Sequence, residues 1–267
     1  MTRPVRGLFA VLALLVAGAF MGTALPGCTD VEVRNAPSNT DFEVLIFTKT
    51  EGFRHDSISD GVAAVQRLGQ THDFGVTHTE RASVFTEEEL QTYDVVVFLN
   101  TTGELFDDDQ QAAFQTYIQA GGGFVGVHSA TDTNYEWDWY GELVGAYFDG
   151  HPSVQEGRLE IVDAEHPSTD MLPDPWVRTD EWYSFRDVYD GLNVLINLDE
   201  DSYDLEDTPA MGDDHPVAWY HEYDGGRAWY TALGHTTESY EEPEFLDHLL
   251  GGLQWAAGDG EAPDAAD

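Results

Sequence analysis

The chain has 267 residues, with 51 Asp and Glu against 11 Lys and Arg, a net charge of −40 at pH 7 and one cysteine. So acidic a surface repels phosphate backbones and excludes nucleic acid as a partner. The acids are spread along the whole chain, which reads as a solvated, self-repelling surface suited to salt.

Residues 1–27 carry Arg3 and Arg6 and no acid, run apolar from Gly7, and end at Leu25-Pro26-Gly27-Cys28. This is the pattern of an export signal. A small residue before a lone cysteine is the layout of a bacterial lipoprotein cleavage site, where the thiol of Cys28 is acylated. An uncleaved anchor is the alternative, since about 20 apolar residues span a bilayer. Either way the globular part is expected outside the cytoplasm, held to a bacterial membrane. With Cys28 so used, no thiol remains for a disulfide, a thiolate metal site or a cysteine nucleophile. The expected organisation is a signal at 1–27, a lipidated tether at 28–40, one domain at 41–257 and an acidic tail at 258–267.

Phe42 to Thr48 is an apolar run, followed by a loop and then Ile58, Val62, Val65 and Leu68 at helical spacing. Gly75 to His78 reads as a short strand, and Asp94 to Leu99 (DVVVFL) as a strand buried on both faces of a parallel sheet. Asp107 with Gln110 predicts a capped helix with Ala113, Phe114, Tyr117 and Ile118 on its apolar face, ended by Gly121 to Gly123. Phe124 to Val127 is the next buried strand. Strand and helix alternate over short connections, which predicts an α/β fold with a doubly wound, mostly parallel sheet and helices on both sides. Its ligands would lie at the carboxyl ends of the strands.

After a Trp/Tyr-rich stretch from Tyr135 to Phe148, further strands are expected at Leu159 to Val162, Val194 to Leu198, Val217 to Tyr220 and Ala228 to Leu233. A helix from Pro243 to Ala257 closes the chain.

Histidines follow four of these strands: His55, His128, His221 and His235. Lys49 and Arg54 share the loop after the first strand. In a chain so poor in cations they suggest a positive pocket for a polar ligand, with an internal salt bridge as the ordinary alternative. Gly-Val-His-Ser-Ala (126–130) has the layout of a strand-to-helix elbow with His128 as the exposed middle residue. Histidine can act as acid, base or metal ligand but replaces an acyl-forming nucleophile poorly, and Ser129, one position on, is expected to point elsewhere. Asp180, Glu181 and Trp182 combine acids with an aromatic ring, a common make-up of sugar sites, although an acid pair alone carries no signal in a chain with 51 acids. His151-Pro152 and His166-Pro167 read as turn-forming. His72, His78 and His248 read as helix or surface residues.

KTEGFRHDSI (49–58), GGGFVGVHSATDT (121–133), WYGELVGAYFDGHP (139–152), HPST (166–169), DEWYSF (180–185), MGDDHPVAWYHEYDGGRAWYTALGHT (211–236) and FLDHLLGGLQWA (245–256) resemble, in order, the signature blocks of the ThuA-like (trehalose utilisation) family. The resemblance implies a three-layer, flavodoxin-like sandwich similar to class I glutamine amidotransferases, with histidine in place of their cysteine. It also implies a link to the breakdown of disaccharides through 3-keto sugars. The cleft residues it implies are Arg54, His55, His128, Asp180, Glu181, His215 and His235.

The expected function is therefore an exported lipoprotein acting on a keto-disaccharide or related glycoside by histidine and carboxylate acid–base chemistry. His128 would be the base, and Glu181 or His55 would protonate the leaving oxygen. His235 would complete the catalytic set, with Arg54, Asp180, Trp182 and His215 binding substrate. Two alternatives stand beside it. One is a hydrolase using a divalent metal such as zinc on His55, His128 and His235; the other is a carbohydrate-binding lipoprotein without turnover.

Overall fold

The computed structural model describes residues 41–258. The expected export signal and tether, with Cys28, and the expected tail beyond Gly258 lie outside the described residues. Among the described residues no helix is long and apolar enough to cross a membrane.

The first half is built as its apolar pattern predicts. β1 (Glu43–Phe47) leads through a loop to α1 (Ile58–Thr71), then β2 (Gly75–Thr79), the short α2 (Glu87–Leu90), β3 (Val95–Leu99), α3 (Asp108–Gln119) and β4 (Gly123–Val127). These strands lie parallel in the order β2-β1-β3-β4. Every residue of β3 and β4 is buried because both faces of the sheet are covered. Phe98 stacks on Phe114 of α3 at 5.4 Å. Its neighbour Leu99 faces the other way and lies so close to Gly61 of α1 that a Cβ there would stand 2.9 Å from it. The cap of α3 is the predicted one: Asp107 accepts from the Gln110 N–H, and the Gln110 side chain accepts from the Asp107 N–H.

The aromatic stretch forms α4 (Asp138–Val144) and β5 (Tyr147–Gly150), and β5 pairs with β8 (Ser184–Arg186) in a separate two-stranded sheet. β6 (Gln155–Ile161), β7 (Trp176–Asp180), β9 (Asn193–Asp199), β10 (Pro216–Tyr223) and β11 (Gly226–Thr231) follow, and α5 (Pro243–Ala257) closes the domain. β11 lies parallel beside β4, and β10, β9, β6 and β7 extend the sheet from it in antiparallel order. The apolar runs of the second half thus extend the sheet as expected. β7 is an additional strand whose alternating buried and exposed residues follow an edge pattern rather than an apolar run. Trp229 of β11 packs on Gly252 of α5. Tyr230, pointing to the opposite face, stacks on Trp219 at 4.3 Å.

Two histidine expectations change. His221 falls inside β10, buried, with Nε2 beside the Glu142 carbonyl, because β10 runs antiparallel and its end does not point to the ligand edge. His248 is fully buried rather than superficial, its ring held by the Ser168 carbonyl and the Thr231 hydroxyl.

Candidate active site: a buried cluster of three histidines and a glutamate

Three strand ends of the parallel half deliver one histidine each. His55 comes from the loop after β1, His128 from the first position after β4, and His235 from the turn after β11. Their ring centroids lie 4.8 to 5.2 Å apart. His128 has φ of 51°, a left-handed conformation that costs a non-glycine residue about 1 kcal/mol or more. This is the elbow that the Gly-Val-His-Ser-Ala pattern predicts. The Tyr230 hydroxyl donates to the His128 carbonyl at 2.7 Å and holds the turn.

The elbow does not present its residue to solvent. His128 is completely buried, with the Tyr183 ring over it at 4.2 Å. Its Nδ1 lies 2.7 Å from the Ala232 carbonyl, which can only accept, so Nδ1 donates there and Nε2 is the ring atom aimed into the cluster. There Nε2 meets Glu181 Oε2 at 3.4 Å and His235 Nδ1 at 3.2 Å, and His235 Nδ1 lies 3.1 Å from the same carboxylate oxygen. One ligand atom from each of His55, His128, Glu181 and His235 falls within 4.8 Å of the others.

The electrostatics follow from burial and these contacts. Burial, then the neighbouring His128 and His235, push the His55 imidazole down to about 3, so it stays neutral and keeps a lone pair at neutral pH. Burial alone would raise the Glu181 carboxyl, but hydrogen bonds from His128 and His235 outweigh it and hold the group well below the usual carboxylate range. For His235 burial is likewise outweighed, and Glu181 raises it. In the absence of another cation, Glu181 and His235 form a charged pair.

Asp180 and Arg178 supply the frame. Both Asp180 oxygens are used internally, accepting from the backbone N–H groups of Glu181, Gly234 and His235, from Ser239 Oγ and from the guanidinium of Arg178. Asp180 therefore holds Glu181 beside His235 and has no oxygen turned to a ligand. Trp182, expected at the sugar, is buried over Gly157 and donates to the Gln155 carbonyl. His215 is buried between Glu200 and the carbonyl of Tyr183, and so fixes the residue that covers His128. Arg54 turns outward to Glu80 at 2.6 Å, and Lys49 to Glu51 at 3.0 Å. With acids so numerous, both loop cations are neutralised locally and no positive pocket forms.

Two further residues take part. Ser129, expected to point away, is buried with Oγ 3.4 Å from His55 Nδ1. His151, read as a turn residue, does bond to the adjacent Pro152 carbonyl, yet its Nδ1 also reaches Glu181 Oε1 at 3.1 Å with its side chain 40% exposed. Its one sequence signal is its place in the family-like block at 139–152.

An elbow after β4, with histidine at its tip, on a mostly parallel sheet flanked by helices defines an α/β sandwich of the flavodoxin-like class. The chain belongs to the ThuA family, described as trehalose utilisation, whose pattern matches residues 43–256. A ThuA-like protein from Bacteroides uniformis shares the fold with a TM-score of 0.69 and 22% identity over 83% of this chain and 94% of its own. One from Parabacteroides merdae does so with 0.68 and 23% over 84% and 93%. A β-galactosidase from Bacillus circulans has a similar fold in 31% of its length, with a TM-score of 0.53 and 11% identity over 82% of this chain. No curated protein matches the chain.

Proposed function

We propose that this protein is an exported, lipid-anchored enzyme that cleaves small glycosides, keto-disaccharides first among them, at a divalent metal centre formed by His55, His128, Glu181 and His235. The observation that carries the metal is the triangle of His128 Nε2, His235 Nδ1 and Glu181 Oε2, with edges of 3.1, 3.2 and 3.4 Å. Ligands of a tetrahedral zinc ion with bonds of roughly 2.0 to 2.1 Å stand about 3.3 Å from one another. The donor set also fits, since two imidazoles are held neutral or in one tautomer by His55's burial and by the Ala232 carbonyl. The family's description, trehalose utilisation, supports a carbohydrate substrate.

A bound divalent ion would supply a Lewis acid for a sugar oxygen and acidify a water molecule. The chain's residues do the rest. Buried His128 serves as a ligand and not as the base that meets substrate. His151 stands against Glu181 with an exposed ring and carries protons between the centre and the substrate oxygen. Tyr183 keeps water from the His128 side.

Elemental analysis of protein purified without chelator and then equilibrated with zinc tests the reading. About one ion per chain is expected, falling below about a tenth in His128→Asn and Glu181→Gln, with turnover of 3-keto glycosides lost in both. Asparagine tolerates the left-handed backbone at 128, so folding should survive. Wild-type protein that holds less than about a tenth of an ion per chain would sink the metal centre.

A further inference from the structure

A cavity of about 260 Å³ opens directly beside the cluster. His55 and His235 form its floor, and Phe53, Val154, Asp56, Thr236 and Glu238 are on its walls. Phe53 is 66% exposed and Val154 43%. Of the six large apolar side chains most exposed among the described residues, these two line this cavity beside His55 and His235. The Phe53 and His55 rings meet edge to face, with centroids 4.9 Å apart and planes at 83°, and most of the Phe53 side chain stays open to solvent. A chain that covers its surface with carboxylates has left an aromatic face uncovered at the mouth of its site.

The polar walls are acidic or hydroxylic. Asp56, Glu238 and Thr236 supply acceptors and a hydroxyl, whereas the guanidinium of the adjacent Arg54 is engaged by Glu80. A flat apolar face with acceptors around it suits a pyranose ring, whose C–H face stacks on the aromatic while its hydroxyls donate to the carboxylates. The same acids repel a phosphate or carboxylate on that ring. A cavity of this size lies below the roughly 300 to 1,000 Å³ of sites for larger ligands and holds one ring.

Resting on the carbohydrate reading above, we infer that Phe53 and Val154 form a single-ring sugar subsite whose acidic wall, Asp56 and Glu238, selects uncharged sugars against their phosphates. Phe53 is thus a residue of substrate specificity that contacts the ring and not the metal.

Calorimetric titration of zinc-equilibrated full-length protein with trehalose, methyl α-glucoside and trehalose 6-phosphate tests this, with zinc content measured on the same samples. Expected are saturable binding of the neutral sugars, affinity at least about tenfold weaker for the phosphate, a loss of about tenfold in Phe53→Ala, and recovery in Phe53→Trp. Asp56→Asn combined with Glu238→Gln should narrow the gap between neutral and phosphorylated sugar at low salt. With any glycoside that is turned over, Phe53→Ala should raise KM and leave kcat nearly unchanged. Failure of all three sugars to bind wild-type protein overturns the subsite, as does unaltered affinity in Phe53→Ala or equal binding of the phosphate. Zinc content separates the two proposals: Phe53-dependent binding to protein that takes up no metal would leave the subsite standing and remove the metal centre.

Discussion

His235 Nδ1 stands 3.1 Å from Glu181 Oε2, although the two residues follow strands β11 and β7, between which β10, β9 and β6 intervene. In a flat sheet, four spacings of about 4.8 Å would hold those strand ends roughly 19 Å apart. The turn after β11 and the twist of the antiparallel half together bridge that distance. Asp180 fastens the turn there by accepting the N–H groups of Gly234 and His235.

Asp180 is consequently the residue whose loss should undo the site without touching a ligand. Asp180→Asn replaces an acceptor of several hydrogen bonds with a partial donor and leaves Arg178, 3% exposed, with only Glu242 as a charged partner. Removing one partner of such a buried pair costs about 3 kcal/mol. The urea midpoint should fall accordingly, and zinc affinity should drop by more than about tenfold because Glu181 is no longer held beside His235. Unchanged zinc affinity in a folded variant would show that the clasp is not what sets the ligand geometry.

Zinc binding should release protons and weaken as pH falls. His235 is raised by Glu181 and therefore carries a proton that a metal must displace. Titrations in buffers of different ionisation enthalpy should report release of up to about one proton per ion near neutral pH, with affinity falling through the range in which His235 charges. No proton release at any pH between about 6 and 8 would contradict this pairing.

Stability should fall on mild acidification for a reason outside the site. Burial, the leading cause in each case, lowers His166 and His221 to about 4 and His248 to about 3, from the ordinary 6.5. The unfolded chain then binds more protons than the folded one below 6.5, so stability is complete above that pH and is lost as pH falls toward 4. Each buried histidine contributes a loss of roughly 2 kcal/mol by pH 5. Urea midpoints at pH 7 and pH 5 measure this sum together with the contribution of the same sign from His55, and the imidazole NMR signals of His166, His221 and His248 should not titrate between those values.

Salt should stabilise the fold. With 51 acids against 11 cations, like charges crowd the surface. Shortening the Debye length from about 10 Å at 0.1 M to about 3 Å at 1 M relieves that repulsion. A rise in Tm of at least about 5 °C over that range is expected in KCl. A Tm that falls over the same range would mean that attractive pairs such as Arg54 with Glu80 outweigh the repulsion.

The sequence by itself determined the parallel half of the sheet, the capped α3 and the histidine elbow, because each rests on local pattern. A buried strand must be apolar, a cap needs its partner three residues on, and a strand end is visible where the apolar run stops. It also put histidine, and no thiol, at the elbow, a residue poorly suited to acyl transfer. Tertiary structure alone decided which acids and histidines meet. Asp180 and Glu181 are adjacent in sequence, yet one is consumed by backbone N–H groups from a turn 54 residues away while the other touches the imidazoles of His128, His151 and His235. Composition could not show that Arg54 is neutralised by Glu80, that Trp182 is core, or that His151 reaches Glu181. Those outcomes depend on how the antiparallel strands are placed, a sum of many twists and bulges that no local pattern encodes.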